Sequence, residues 1–420
     1  MNHAAPSPLP WPDAVRPEAP AAAAGGLRTS AFVALAAGLL TPFTVSLVGE
    51  LPLGELVLFA AAAWAGLCAI VHRAAPGPLF RQRYLYVLLA CEALALLAYI
   101  LSDFYRHSAP RDMARGWVRL ILLGIDVVAL AYLLGRSRHN FLWFIAGQVV
   151  GEMANAALFG AMFGDTWKFG YGIPATYAGL LLSALAGPVG VLLAAAALGA
   201  LHFALDFRSV GALCLLVAGA TGLQLLPRRL RLWALPCSVL ATAVIATALF
   251  AHLRSGDEME HRASRSDVER SSMIQAASEA FLASPLVGSG SWFSNTDVYE
   301  NFAQIRADRA KEAGIGGFAG PNEELEAIGL HSQILVTLAE GGIFGASFFL
   351  VYGCGLAWAL WNQVMVADWN RARPVRVFQL VLASWHLFMS PFSGPHRVYI
   401  ALAAGLVLLV QQERNPEEAA

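Results

Sequence analysis

The sequence predicts an all-α polytopic membrane protein, a bundle of about twelve transmembrane helices with one helical loop on its outer face. Three observations predict it. Of the 420 residues, 57% are apolar and 14% charged, with a mean hydropathy of +0.57, whereas about a quarter of an average soluble protein is charged. Apolar runs long enough to cross a hydrocarbon layer of roughly 30 Å recur from Leu27 to Val410. One long connection, 254–330, interrupts them.

Residues 1–26 are rich in Ala and Pro and lack a basic segment leading to a small-residue cleavage site. They read as a disordered cytoplasmic tail, not a cleaved signal peptide. The segment 27–253 then holds nine apolar runs, at 28–48, 51–71, 84–102, 117–135, 140–163, 171–186, 188–206, 209–226 and 231–253. After the loop, 331–411 holds three more, at 331–361, 377–393 and 396–411, and 412–420 forms a second cytoplasmic tail.

Basic residues orient the bundle, because cytoplasmic connections carry the excess of Arg and Lys. Arg73, Arg81 and Arg83 follow the second run, Arg136 and Arg138 the fourth, Arg228, Arg229 and Arg231 the eighth, and Arg371, Arg373 and Arg376 the tenth. All fall on one side, which puts both termini in the cytoplasm and the long loop outside. Arg106, Arg111, Arg115 and Arg119, after the third run, dissent. Either a neighbouring run is misplaced or those arginines serve an interface. The net charge of −1 argues against a nucleic-acid partner. Cys68, Cys91, Cys214, Cys237 and Cys354 all lie in apolar runs without metal-type spacing and read as packing residues.

A connection of this length in a compact architecture is usually functional. Within it 268–283 reads as a helix: counted from Arg270, Ile274, Ala277 and Phe281 fall within about 40° of one line at 100° per residue, with Glu279 opposite. That phase puts Arg270 on the apolar face, pointing into protein or towards a buried anion. Pro285, Gly288 and Gly290 end the helix in a tight turn, and 299–312 forms a second, weakly amphipathic stretch. Taken singly, the polar residues around the loop have ordinary explanations. His331 would be a histidine at a wet boundary, Arg270 a partner for a loop carboxylate, and Arg208 an ion-pair partner of Asp206. Glu92, Asp126 and Glu152, inside apolar runs, could mark a proton path but are read as facing helix partners or a cavity.

Four segments, in order over about 165–350, together resemble the O-antigen ligase and polymerase superfamily of bacterial envelope enzymes. They are Gly170-Tyr-Gly172-Ile-Pro174, the Arg208-Ser-Val-Gly start of a membrane helix, Arg270 followed by Pro285 and Gly288-Ser-Gly290, and His331 followed by Leu335, Leu338, Glu340 and Gly342. The chain departs from the family pattern in having Ile274 where an aromatic residue is usual and Ala175 where asparagine is common. Arg265 competes with Arg270 for the loop-arginine role.

The resemblance implies a GT-C-like membrane fold in a Gram-negative inner membrane with its active site facing the periplasm. It implies transfer of a glycan from undecaprenyl pyrophosphate to the lipid A-core oligosaccharide, by an O-antigen ligase. The alternatives are an O-antigen polymerase using the same donor or, from another class, a lipid-linked glycan flippase or transporter. In the ligase reading Arg208 and Arg270, with Arg265 in reserve, hold the donor pyrophosphate, since guanidinium stays charged and clamps phosphate with two parallel hydrogen bonds. His331 takes the proton of the acceptor hydroxyl. Pro174, Pro285, Gly288, Gly290, Glu340 and Gly342 shape the backbone, Glu340 standing at a helix break with Gly341 and Gly342. Glu340 lies nine residues along the helix from His331, about 900° and so on the opposite face. No paired-carboxylate metal motif appears on the outer face, so neither metal nor cofactor is expected, and direct displacement predicts inversion at the anomeric carbon.

Overall fold

The computed structural model describes residues 21–46, 49–73, 77–160, 165–253, 257–291, 296–314, 332–366, 368–390, 392 and 394–414. Among these residues eight helices are long and apolar enough to cross a membrane, as an all-α polytopic membrane protein requires. Large apolar side chains such as Trp64, Ile70, Leu193 and Trp233 stand exposed on the outside of the bundle, where hydrocarbon would meet them.

Helix α1 (Ala21–Leu40) and α2 (Leu53–His72) are joined by a short antiparallel ribbon of β1 (Thr44–Ser46) and β2 (Glu50–Pro52). The first apolar run therefore ends earlier as a helix than its hydropathy suggests. α1 lies along α5 (Asn140–Phe159), and glycines allow it: a Cβ at Gly38 would strike the Phe144 carbonyl, and one at Gly147 the Leu35 carbonyl. Small residues are the usual means by which membrane helices approach closely.

α3 (Arg83–Arg106) and α4 (Pro110–Arg136) form a hairpin; of the dissenting arginines Arg106 ends α3, and Arg111, Arg115 and Arg119 lie in the first three turns of α4. The apolar stretch Trp167–Ala204 is 38 residues long, about 57 Å if it were one helix. It is a hairpin instead: α6 (Gly172–Ser183) and α7 (Gly187–Ala204) run antiparallel, with Gly187 at φ 82° turning the chain. α8 (Arg208–Leu225) packs on α7 and leads to α9 (Arg228–Leu253).

The outer loop holds α10 (Asp257–Ala283) and α11 (Thr296–Glu312), close to the two expected stretches, although α10 starts eleven residues before 268. After it, the expected single run 331–361 is two helices, α12 (Gln333–Gly345) and α13 (Ser347–Trp361), because Gly342 takes φ 64° and ψ −160° inside the helical segment. α14 (Arg373–Met389) and α15 (Gly394–Arg414) complete the chain. α15 is the centre of the bundle: every residue from Ile400 to Val410 is buried against α4, α13 and α14, which suits a helix apolar on all sides.

The basic clusters gather at one end. Gly135, at the end of α4, packs near Leu79 of the Pro78–Arg81 turn, and Gln82 Nε2 donates to the Leu408 carbonyl at 2.9 Å. Arg376 of α14 pairs with Glu413 at 2.9 Å, and Arg414 donates to Asn362 Oδ1 at 2.7 Å. The loop helices, the ribbon and the start of α12 lie at the other end.

Candidate functional site at the loop end of the bundle

Two of the four sequence segments are joined directly. The turn from Pro285 to Gly290 is seated on the break in α12: Ser289 N donates to the Ala339 carbonyl at 2.9 Å and Gly290 N to that of Glu340 at 3.0 Å, while Ile343 N donates to the Pro285 carbonyl at 2.8 Å. Breaking a helix at Gly342 frees backbone groups that need partners. The loop turn supplies them. Gly288 (φ 73°) and Gly342 (φ 64°) face each other's backbone so closely that a Cβ at either would enter the opposite chain.

Beneath this joint lies a buried polar network. The Glu340 carboxylate, 2% exposed, accepts from the Tyr99 hydroxyl at 2.8 Å and from the Arg119 guanidinium. Arg119, 5% exposed, also lies over the Phe392 ring at 4.7 Å. Beside it Asp103 accepts from Ser291 N and Oγ, both at 2.6 Å, and from Trp117 Nε1 at 2.7 Å. Arg119 thus serves an interface, the second of the two explanations for the arginines that dissent from the charge count. Arg115 pairs with Asp112 at 3.8 Å.

The other two segments also meet. Gly172, at the head of α6, packs against the Phe207 ring, the residue before Arg208. Pro174 is buried in the first turn of α6, and Thr176 Oγ1 stands 2.7 Å from His202 Nε2. Trp167 Nε1 donates to His202 Nδ1 at 3.1 Å, so both ring nitrogens are engaged. Arg208 opens α8 with its Nε 2.8 Å from Asp206, whose backbone is left-handed at φ 55°.

The loop arginines are placed differently from the sequence expectation. Arg270 is exposed, and so is Ile274, half of whose surface is open. The buried face of α10 consists of Val268, Ser272, Met273, Ala276, Ala277 and Ala280, centred about 100° around the helix from Arg270. It packs on Phe302 of α11 and on Val336 and Ala339 of α12. A pattern weighted by side-chain size follows Ile274 and Phe281, whereas close helix packing selects the alanines. The side chain of Arg265 and all of His331 lie outside the described residues. The residue after His331, Ser332, caps α12 by accepting from Leu335 N at 3.3 Å.

Several polar residues of this half of the bundle escape the motif pattern. Gln333 is fully buried, with no hydrogen-bond partner for either amide atom among the described residues. Glu152 accepts from Gln148 and Tyr399, each at 2.9 Å, so it does face helix partners. The buried His386 ring stands 4.9 Å from that of His396 and 6.3 Å from that of Tyr399. His386 stands inside an apolar run, where an ionisable side chain is itself the signal. Asp126 lies beside Glu55, which is held by Arg397 through two 2.9 Å bonds. Glu92 lines a cavity of about 330 Å³ between α2, α3 and α4. Among the described residues no three His, Cys, Asp or Glu side chains stand close enough to share a metal ion.

No family model matches the chain, and no curated protein matches its sequence.

Proposed function

We propose that the protein is a glycosyltransferase of the O-antigen ligase type. It transfers glycan from undecaprenyl pyrophosphate to the lipid A-core oligosaccharide at the periplasmic face of a Gram-negative inner membrane. The bundle is GT-C-like and crosses twelve times, by α1 to α9, α12 with α13, α14 and α15. The observation that carries this reading is the joint between the Pro285–Gly290 turn and the Glu340–Gly342 break. Segments some fifty residues apart in sequence, each like a family motif, form one backbone unit towards the far end of the helix into which His331 leads. The meeting of Gly172 with Phe207 beside Arg208 adds a second pair.

In this reaction Arg208 and Arg270 hold the pyrophosphate and take up the charge that grows on it as the anomeric bond breaks. Arg270 is suited by its exposure to meet a donor arriving from the bilayer. His331 accepts the proton of the attacking hydroxyl. Neither metal nor cofactor is required.

The test uses purified protein with lipid-linked glycan, and either lipopolysaccharide core or donor alone. Glycan on the core supports the ligase. Longer lipid-linked glycan from donor alone identifies the polymerase, and movement of intact donor across a vesicle without new bonds identifies the flippase.

A further inference from the structure

The opposite end of the bundle, where the basic clusters gather, contains a guanidinium without a partner. Arg373 is 1% exposed, and none of its three side-chain nitrogens has a hydrogen-bond partner among the described residues. A guanidinium cannot relieve its burial by losing a proton, and a buried charge left alone is costly. Its neighbours deepen the problem. Arg231 and Arg376 are within electrostatic range and repel it, while Asp368, also in range, is exposed and makes no hydrogen bond to it.

The Glu413 carboxylate and several backbone carbonyls are already engaged by other arginines, and the side-chain oxygens of Gln224 and Gln363 make no hydrogen bond to Arg373 among the described residues. Glu413 takes both of its bonds from Arg376, at 2.9 Å each. Arg231 reaches the carbonyls of Leu226, Met365 and Gln224 at 3.2, 3.4 and 3.3 Å. Two of those three carbonyls belong to the end of α8, and Met365 to the π-helical turn Asn362–Val366 that follows α13. Such turns are rare and frequently mark functional sites.

Charge and helix geometry agree on what is missing. In 227–231, 368–376 and at 413, Arg228, Arg229, Arg231, Arg371, Arg373 and Arg376 stand against Asp368 and Glu413, a surplus of four positive charges. Arg373 also occupies the first turn of α14, which holds no acidic residue; Asn370 accepts from the N–H groups of Ala372 and Arg373, but the positive end of the helix carries no counter-charge.

We propose that this end of α14 binds a phosphate-bearing anion, clamped by the Arg373 guanidinium with Arg231 beside it. A phosphate group offers the paired oxygens a guanidinium fork requires, and more than one negative charge to meet the surplus. Its source is either a phospholipid headgroup of the adjoining leaflet or free phosphate. The proposal is independent of the chemistry at the loop end.

Full-length protein, stripped of lipid in detergent, would be melted with added phosphatidylglycerol, with phosphatidylcholine, and with inorganic phosphate against chloride at equal ionic strength. The wild type should gain several degrees from phosphatidylglycerol if a headgroup is the ligand, or from millimolar inorganic phosphate if the free ion is. R373Q should lose most of that gain, with apparent affinity down about tenfold or more, and R229Q, on an exposed neighbour, should keep it. If R373Q does not fold, R373K serves: it keeps the charge but loses the fork, and should respond more weakly than wild type. No response of the wild type to either phosphate source would overturn the proposal. So would an undiminished response in the Arg373 variant that folds.

Discussion

Glu340 and Arg119 are held to each other where neither could be left alone. Glu340→Ala leaves Arg119 charged and buried, so it should destabilise the protein by about 3–5 kcal/mol, whereas Glu340→Leu combined with Arg119→Met should cost far less than the two single changes added together. Denaturant titration of the purified variants in detergent measures both. At the proposed donor site, Arg208→Lys and Arg270→Lys should lose transfer nearly as badly as the alanine variants, because an ammonium cannot reproduce the fork, and Arg265→Ala should be milder. His331→Ala should still bind donor while the chemical step slows about a hundredfold or more, the usual loss for a general base. Donor binding and transfer measured on the same preparation separate these outcomes. The structural role of Glu340 was legible from its place at the helix break with Gly341 and Gly342. Its partner Arg119 showed only as a disagreement in the charge count, since an ion pair across 221 positions leaves no local pattern. The facing of Arg270 was not legible, because Ala276, Ala277 and Ala280 carry little hydrophobic weight yet decide where α10 packs.

At the scale of elements, the joint between the loop turn and α12 depends on two left-handed glycines. Gly288→Ala and Gly342→Ala each add about 1–2 kcal/mol of backbone strain and also drive a methyl into the facing chain. Gly314 is likewise left-handed at φ 66° but has open space around it, so Gly314→Ala should cost only about 1–2 kcal/mol. Limited proteolysis should therefore find the loop released in the first two variants and protected in the third. A weaker clasp holds α10 to α11: Asn301 and Gln275 both donate to Glu279, holding its carboxyl below the ordinary carboxylate range. A depressed carboxylate contributes above its unfolded pKa and ceases to as pH falls through the folded value. Amide protection in α11, corrected for the pH dependence of intrinsic exchange, should accordingly fall at acid pH in the wild type and be less pH-dependent in Glu279→Gln. Apart from α1 and the start of α4, the long apolar elements were legible to within a few residues, because crossing a bilayer demands length. The break in α12 was legible from Gly341 and Gly342 after Glu340, whereas the ribbon after α1 was not, since hydropathy alone does not show where a helix ends inside an apolar run.

For the molecule as a whole, the gathering of the basic clusters at the end opposite the loop makes topology measurable. In a cysteine-free background, cysteines at Asp308 and at His139 should label with a membrane-impermeant thiol reagent from opposite sides of intact cells, and equal outside labelling of both would reverse the reading. The bundle was legible from composition and from arginine positions. The polar interior around Glu152, His386 and His396 was not, because it is assembled from α5, α14 and α15 only when they pack. The seating of 285–290 on the α12 break bears on how this loop can be cut. Surface loops are usually replaceable between their two ends, but here the last few residues before Ser291 are the sealing piece of a severed helix. They supply amide and carbonyl partners to buried helix backbone, where an unmet group is costly. Excising α10 with the cut placed before Pro285 should leave a membrane core that still inserts, whereas the same excision carried six residues further should yield one that does not. A graft of another loop onto this scaffold has to keep Pro285 to Gly290 as part of the membrane protein.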